Sequence, residues 1–372
     1  MARGHAPALL DAVTPPGGRR LARLLNGGAR MAMNEAEQWW RREGTAKRGF
    51  HYVGANGRRL SGAATLERIR RMAIPPAWTD VHISPEPERK IQVWGYDAAG
   101  RKQYRYAAWH TAKQDRRKWN RLLDVARAMP VLRAATNEHL ARRSLDRQKV
   151  LAAVVRLISR ASFRAGSERY AVENRTFGIC TLNKKHVRIE GDSLVFEYVG
   201  KRRKDQRQVV AATPLVEIVD ELMKLPGRRL FQYRDGRRRP LPVQAPQVNQ
   251  YLREVLGAKY TSKDLRTFGG TVRAATILSD LGPAKSRTEA KRNVVLACKL
   301  VAAELGNTPA ICRKAYIHPA VLEEYEAHGR VAAVERRTRQ RKRKTERRVE
   351  AVEPEGLYPE EVALIRFLER YG

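Results

Sequence analysis

Two short stretches of the chain carry side chains suited to one reaction. Gly306-Asn307-Thr308-Pro309-Ala310-Ile311-Cys312-Arg313-Lys314-Ala315-Tyr316 ends on a tyrosine, and Lys263-Asp264-Leu265-Arg266-Thr267-Phe268-Gly269 sets a lysine and an arginine one helical turn apart. Attack on a phosphodiester requires an oxygen nucleophile, cations on the non-bridging oxygens and an acid for the departing oxygen. A tyrosine served by arginines meets that requirement, although an isolated tyrosine on a helix is ordinarily a packing residue.

Charge narrows the target. Among 372 residues, 74 are lysine or arginine and 39 aspartate or glutamate, a formal net charge of +35. That imbalance calls for a polyanionic partner. No run approaches the roughly 18 consecutive apolar residues of a membrane-spanning helix, and no lipidation motif is present, so no membrane partner is expected and nucleic acid is. Cys180, Cys298 and Cys312 are odd in number and far apart, which suits neither a disulfide framework nor a metal site. The expected location is the cytoplasm, in association with the nucleoid. With no metal-binding histidine motif, Walker-type glycine loop or compact acidic group, no cofactor is expected, neither metal nor ATP.

The elements that must position these groups fall into two kinds. Residues 1–44 read as a basic, flexible tail and 45–115 as a β-rich DNA-binding domain. In the latter, Gly49-Phe50-His51-Tyr52-Val53 before an Asn56-Gly57 turn, and Lys90 to Tyr96 before Asp97-Ala98-Ala99-Gly100, each read as the first arm of a hairpin. A short helix over 65–72 must stop before Pro75-Pro76. The dense lysines and arginines of 111–119 read as the connection to a mainly helical domain over 116–330. There the spacing of Leu151, Val154, Val155 and Ile158 marks one apolar helix face. Further helices are expected over 214–224, 246–256, 262–279 and 288–305, the last with Val294, Val295, Cys298, Val301, Ala302 and Leu305 on one stripe. A three-stranded antiparallel insert is expected over 187–210, with Lys201 at its second turn. Beyond 331 a basic extension runs through Arg336 to Lys344 and ends in a short helix over 359–368. The fold class is α+β: a small β-rich N-terminal lobe, then a mainly α-helical domain with a β insert.

From Gly49 to Glu323 the chain resembles the poxvirus-like and bacterial type IB DNA topoisomerases. The likeness rests on Ala73-Ile74-Pro75-Pro76-Ala77-Trp78, Asp97 through Tyr106, Phe163-Arg164-Ala165-Gly166, Tyr198-Val199-Gly200-Lys201, Lys263 through Gly269 and Lys314-Ala315-Tyr316, in that order. The resemblance implies that the catalytic domain has the tyrosine recombinase/topoisomerase IB fold, and that Tyr316 is the nucleophile, forming a 3′-phosphotyrosyl bond and expelling a 5′-hydroxyl strand. It implies that Arg164 and Arg266 attend the phosphate and that Lys201 protonates the leaving oxygen. A phenol titrates near 10 and a lysine ammonium near about 10.4, so both need help near neutrality. Composition alone does not choose between Lys201 and its neighbours Arg202, Arg203 and Lys204. Arg164 also reads as a cation ending a helix before Gly166.

Where many members of that family carry histidine, this chain has Asn307, which can donate a hydrogen bond to a phosphate oxygen but cannot titrate. It also suits the stop of the preceding helix. The family uses the residues matching Gln103, Tyr104 and Tyr106 to touch DNA, and strand alternation puts the two tyrosines on one face. Lys263 is a further cation near the cleaved phosphate. The resemblance implies relaxation of supercoiled duplex DNA by a monomer clamped around it. A tyrosine recombinase is the nearest alternative and a non-catalytic chromosome-binding protein the alternative of another class.

Overall fold

The computed structural model describes residues 39–211, 213–237, 239–257, 260–331 and 355–371. The expected tail up to residue 38 and the basic run Arg336 to Lys344 lie outside these residues. The chain divides into two compact units between Arg116 and Arg117.

The first unit is an antiparallel five-stranded sheet in the order β2-β1-β3-β4-β5, formed by β1 (Trp40–Thr45), β2 (Gly49–Val53), β3 (Thr79–Ile83), β4 (Ile91–Tyr96) and β5 (Lys102–Tyr106). Helix α1 (Ala63–Arg71) buries Ile69 against Val81, Ile83 and Val93. Period-two alternation sends these apolar residues to one face and His82, Trp94 and Tyr104 to the other. These last three are direct cross-strand neighbours. The β4–β5 hairpin forms as its pattern predicts. The hairpin expected after Val53 does not: β2 pairs backward with β1, and beyond the Asn56-Gly57 turn only the bridge between Val53 and Arg59 forms. Leu60 N–H reaches Tyr52 O at 2.8 Å, and the chain then enters α1. β1 therefore begins inside the segment read as tail. Its sequence, WRREGT, is mostly exposed and lacks an apolar stripe to announce it.

The second unit is built on α3 (Arg147–Ala161), capped by the Asp146 carboxylate on Lys149 N–H. Val150 through Ile158 are all buried, as befits a helix covered on every side. Around it lie α2 (Ala108–Leu140), whose first turns up to Arg116 belong to the first unit, α4 (Glu168–Asn174), α5 (Thr213–Met223), α6 (Ala245–Leu256), α7 (Ser262–Leu281), α8 (Arg287–Leu305), α9 (Pro309–Ala315), α10 (Pro319–His328) and α11 (Pro359–Leu368). The insert is the antiparallel sheet of β6 (Val187–Glu190), β7 (Ser193–Val199) and β8 (Asp205–Ala211). A further hairpin joins β9 (Gln232–Arg234) to β10 (Pro240–Pro242).

Residues 111–119 contain the boundary between the two units, as read from the sequence, and they form the first turns of α2, because lysine and arginine are good helix formers and Leu122, Val125, Ala126, Met129 and Leu132 bury the stripe that follows. Two expectations change here. Val295 faces outward, off the buried stripe of α8. The terminal helix α11 is no appendage: Leu364, Ile365, Phe367 and Leu368 join the main core. Its Glu361 accepts two hydrogen bonds from Arg133, at 2.7 and 2.9 Å, both side chains buried. Among the described residues no single helix is long and apolar enough to cross a membrane.

Candidate active site

The site is assembled on the C-terminal end of α8. Ser286 caps the start of that helix and Gly306 ends it in the left-handed region, φ 62°, a conformation glycine adopts without penalty. The last carbonyls of any helix lack intrahelical partners and carry the negative end of its dipole. Two guanidiniums fill that need. Arg266 donates to Leu305 O at 3.1 Å and also to Ser162 O. Arg164 donates to Gly306 O at 2.9 Å and to Asn307 Oδ1 at 2.5 Å.

Each arginine reaches the helix end by a different route. Arg266 lies on the inner face of α7 and is 4% exposed. Burial lowers its pKa, the neighbouring Tyr316 raises it and Arg164 lowers it; a guanidinium remains charged throughout. Arg164 does not end a helix, as its sequence context suggests. α3 stops at Ser162, φ 55°, and Arg164 sits in the extended stretch beyond. That stretch is pressed against Gly178, where a Cβ would lie 2.6 Å from Arg164 O and from Gly166 Cα; no other residue permits this approach.

Tyr316 arrives from the other side. The chain turns by 94° between α8 and α9, Thr308 caps α9 and Pro309 opens it, where its missing N–H costs nothing. Tyr316 closes α9 at φ −128°, ψ −6°, its ring centroid 5.4 Å from the Arg266 guanidinium carbon. Gly270 on α7 admits the Tyr316 backbone: a Cβ there would lie 2.8 Å from Tyr316 O. His318 N–H donates to Thr271 Oγ1 at 3.1 Å, and that hydroxyl is 3.3 Å from Tyr316 O. α7 thus carries Arg266 and fixes the tyrosine's backbone. Cys312, behind the tyrosine, is fully buried, and desolvation pushes its thiol up to about 11.

Four sequence-predicted residues, Arg164, Arg266, Asn307 and Tyr316, converge in this way. Asn307 does so through Arg164. Its Oδ1 holds Arg164 and its Nδ2 is buried beside the Cys312 thiol, so the amide faces inward. Lys201 stands exposed in the turn between β7 and β8. Lys263 is exposed in the first turn of α7, one turn before Arg266. Gln103, Tyr104 and Tyr106 belong to the first unit. Tyr104 and Tyr106 are 41% and 46% exposed, their ring centroids 6.1 Å apart, whereas Gln103 is half-buried and donates to Asp97 Oδ2 at 3.0 Å.

Residues that sequence reading missed lie under the site. Tyr198 stacks on Phe163 at 6.0 Å, and burial raises its phenol to about 12 against the opposing pull of Arg266 and Arg164. Gln206, its cross-strand partner, is 8% exposed. Alternation along β8 put Gln206 and Gln208 on one face, but nothing in the sequence said that this face turns inward.

Residues 101–345 match the family described as eukaryotic DNA topoisomerase I, catalytic core, and residues 49–97 match the bacterial DNA topoisomerase IB N-terminal domain. The chain is 31% identical to DNA topoisomerase 1B of Acanthamoeba polyphaga mimivirus over 292 residues, covering 77% of this chain and 87% of that one. It is 26% identical to DNA topoisomerase 1B of Vaccinia virus (strain Copenhagen) over 270 residues, 69% and 81% of the two chains. Rabbit fibroma virus (strain Kasza) DNA topoisomerase 1 is 25% identical over 271 residues, 70% and 81%.

Proposed function

Because the chain belongs to the type IB DNA topoisomerase family, we propose a division of labour among its residues in breaking and rejoining one strand of duplex DNA. Tyr316 Oη attacks the phosphorus. The phosphotyrosyl bond forms at the 3′ end as the bond to the 5′ oxygen breaks, and the tyrosine proton is lost to solvent. Arg266 and Arg164, anchored by part of their donor set to the end of α8, direct remaining N–H groups at the non-bridging oxygens, for which the planar fork is suited. Asn307 acts through Arg164, which it orients. Lys201 supplies the proton that the leaving 5′ oxygen takes up, and Lys263 adds charge beside the phosphate. Religation is the same exchange in reverse, so neither an external energy source nor a metal ion is needed. Rotation of the cut duplex before resealing removes supercoils.

The observation that carries this reading is the placement of the Tyr316 ring beside a guanidinium that is itself locked onto a helix terminus. Donors fixed before the reaction need no reorganisation as charge develops. We further propose that the protein works as a monomer on duplex DNA, without a membrane partner, and that it acts in the cytoplasm on the nucleoid. The +35 charge supports the DNA partner, and three buried free thiols are compatible with a reducing compartment. On the β lobe, Gln103, Tyr104 and Tyr106 are proposed to touch the duplex.

The test is relaxation of a supercoiled plasmid in a chelator and without ATP, followed by mapping of the trapped adduct. Wild type is expected to relax the plasmid and to hold the 3′ end on Tyr316. Tyr316→Phe is expected to bind DNA with unchanged affinity and to form no adduct. Attachment through another side chain, or to a 5′ end, overturns the proposal.

A further inference from the structure

The turn that carries Lys201 has almost no support of its own. Gly200 N–H bonds back to Lys204 O at 2.8 Å, while Arg202 and Arg203 both stand in the left-handed region, at φ 64° and 56°, where non-glycine residues are strained. Under this turn lies one buried polar side chain, Gln206. Its Nε2 donates to Asp205 O at 2.8 Å and to Lys204 O at 3.3 Å, the latter being the carbonyl that also closes the turn. Its methylenes lie against Gly200, where a Cβ would come 2.7 Å from Gln206 Cγ. Its Oε1 abuts Gly306, where a Cβ would collide with it.

Gly306 is the residue whose carbonyl accepts from Arg164. Gln206 therefore joins two features that are 100 residues apart in sequence: the turn of Lys201 and the helix end on which the arginines are anchored. An exposed lysine has a long, flexible stem and no bond of its own to the arginine cluster, so its approach to the leaving oxygen is set by the backbone that carries it. We propose that Gln206 is a positioning residue that seats the Lys201 turn against the end of α8 and thereby places the proton donor at the 5′ oxygen. This rests on the reading of Lys201 as that donor.

The test compares single-turnover cleavage of two duplexes by the full chain. One has the normal 5′ oxygen at the cleaved bond and the other has sulfur in its place. A thiol titrates near about 8.5, whereas an alkoxide is several units more basic, so the sulfur leaving group departs without a proton donor. Gln206→Met keeps the bulk and removes the amide, and Gln206→Ala removes both. Both are expected to slow cleavage of the oxygen duplex about ten- to hundredfold, the scale of a misplacement of about 1 Å, and to cut the sulfur duplex at close to the wild-type rate. Lys201→Ala is the control, with the same pattern and a larger loss on oxygen.

If Lys201→Ala is not restored by sulfur, the donor assignment fails and the proposal falls with it. If Lys201→Ala is restored but the Gln206 variants are slowed equally on both duplexes, Gln206 serves the arginines or the fold and not the proton donor. Unchanged rates on both duplexes for correctly folded Gln206→Met also overturn the proposal.

Discussion

In the β lobe the guanidiniums of Arg42, Arg68, Arg89 and Arg105 lie 4.1, 5.1, 4.8 and 5.9 Å from the ring centroids of Phe50, Trp40, Trp39 and Trp78. In the helical unit Arg164 and Arg266 sit on the carbonyls that end α8, and the ring beside Arg266 is that of Tyr316. The difference follows from core size. The lobe's buried cluster is Ile69, Val81, Ile83 and Val93, with Trp40, Tyr52, Leu60, Met72, Ile74 and Trp78 partly buried against it, a small core by comparison with that of the helical unit. Its arginines therefore act as staples: Arg42 also bonds Pro75 O at 3.1 Å, and Arg105 bonds Ala73 O at 3.0 Å. The helical unit has a core large enough to bury Arg266 and hold it at the end of α8, the position from which it is proposed to meet the phosphate.

Substitutions on the two sides should therefore fail in different ways. Arg266→Ala should slow strand cleavage by about 10²–10³-fold, the usual cost of removing a preorganised donor at a developing charge. It should also lower stability by about 1–3 kcal/mol as Leu305 O and Ser162 O lose their donor. Single-turnover cleavage and denaturant unfolding measure the two effects, and a loss of stability with unchanged cleavage would erase the contrast. Arg42→Ala should do the reverse, destabilising the lobe by about 1–2 kcal/mol through lost ring and carbonyl contacts while Tyr316 cleaves bound DNA at its normal rate. Tryptophan fluorescence reports this well, because Trp39, Trp40, Trp78, Trp94 and Trp109 lie in the lobe and only Trp119 in the helical unit.

A smaller effect separates binding from reaction. Replacing Tyr104 and Tyr106 together by alanine should weaken DNA binding by roughly tenfold, about 1.4 kcal/mol, without altering cleavage at saturating enzyme. Filter binding at two salt concentrations checks this, and affinity should fall steeply with salt in both proteins because phosphate neutralisation releases counterions.

The smallest effect concerns pH. Burial, with Lys118 nearby, lowers the His318 imidazole to about 4. Its Nδ1 accepts from Ala320 N–H at 3.2 Å, and the Trp119 ring packs edge-on at 4.9 Å. Between about 6.5 and about 4 the unfolded chain binds a proton that the folded chain does not. The stability contributed by neutral His318 is therefore complete above about pH 6.5 and is lost as the pH falls towards 4. Far-ultraviolet circular dichroism of thermal unfolding should show that decline, and His318→Asn, which can still cap α10, should flatten it.

Most of the helical unit could be read from its sequence, because long helices announce themselves through apolar stripes such as that of α8 and through caps such as Gly306. The β4–β5 hairpin and the three-stranded insert were legible for the same reason, each having alternation bounded by turn residues. β1 and β3 were not. WRREGT and TDVHI are short, charged or interrupted, and they are strands because neighbouring strands hydrogen-bond them, not because of their own pattern. The terminal helix was legible as a helix but not as part of the core, since a helix's period does not say what will cover its apolar face.

The site divides along the same line. Tyr316, Arg164, Arg266 and Lys201 lie in local motifs and could be named from them, because the proposed chemistry requires a particular residue type at each reacting position. That Asn307 faces inward to hold Arg164, that both arginines are anchored on one helix terminus, and that Gln206 lies between the Lys201 turn and Gly306 were decided only by the tertiary structure. These are contacts between segments roughly 40 to 140 residues apart, where packing geometry, and not local spacing, sets which polar groups meet.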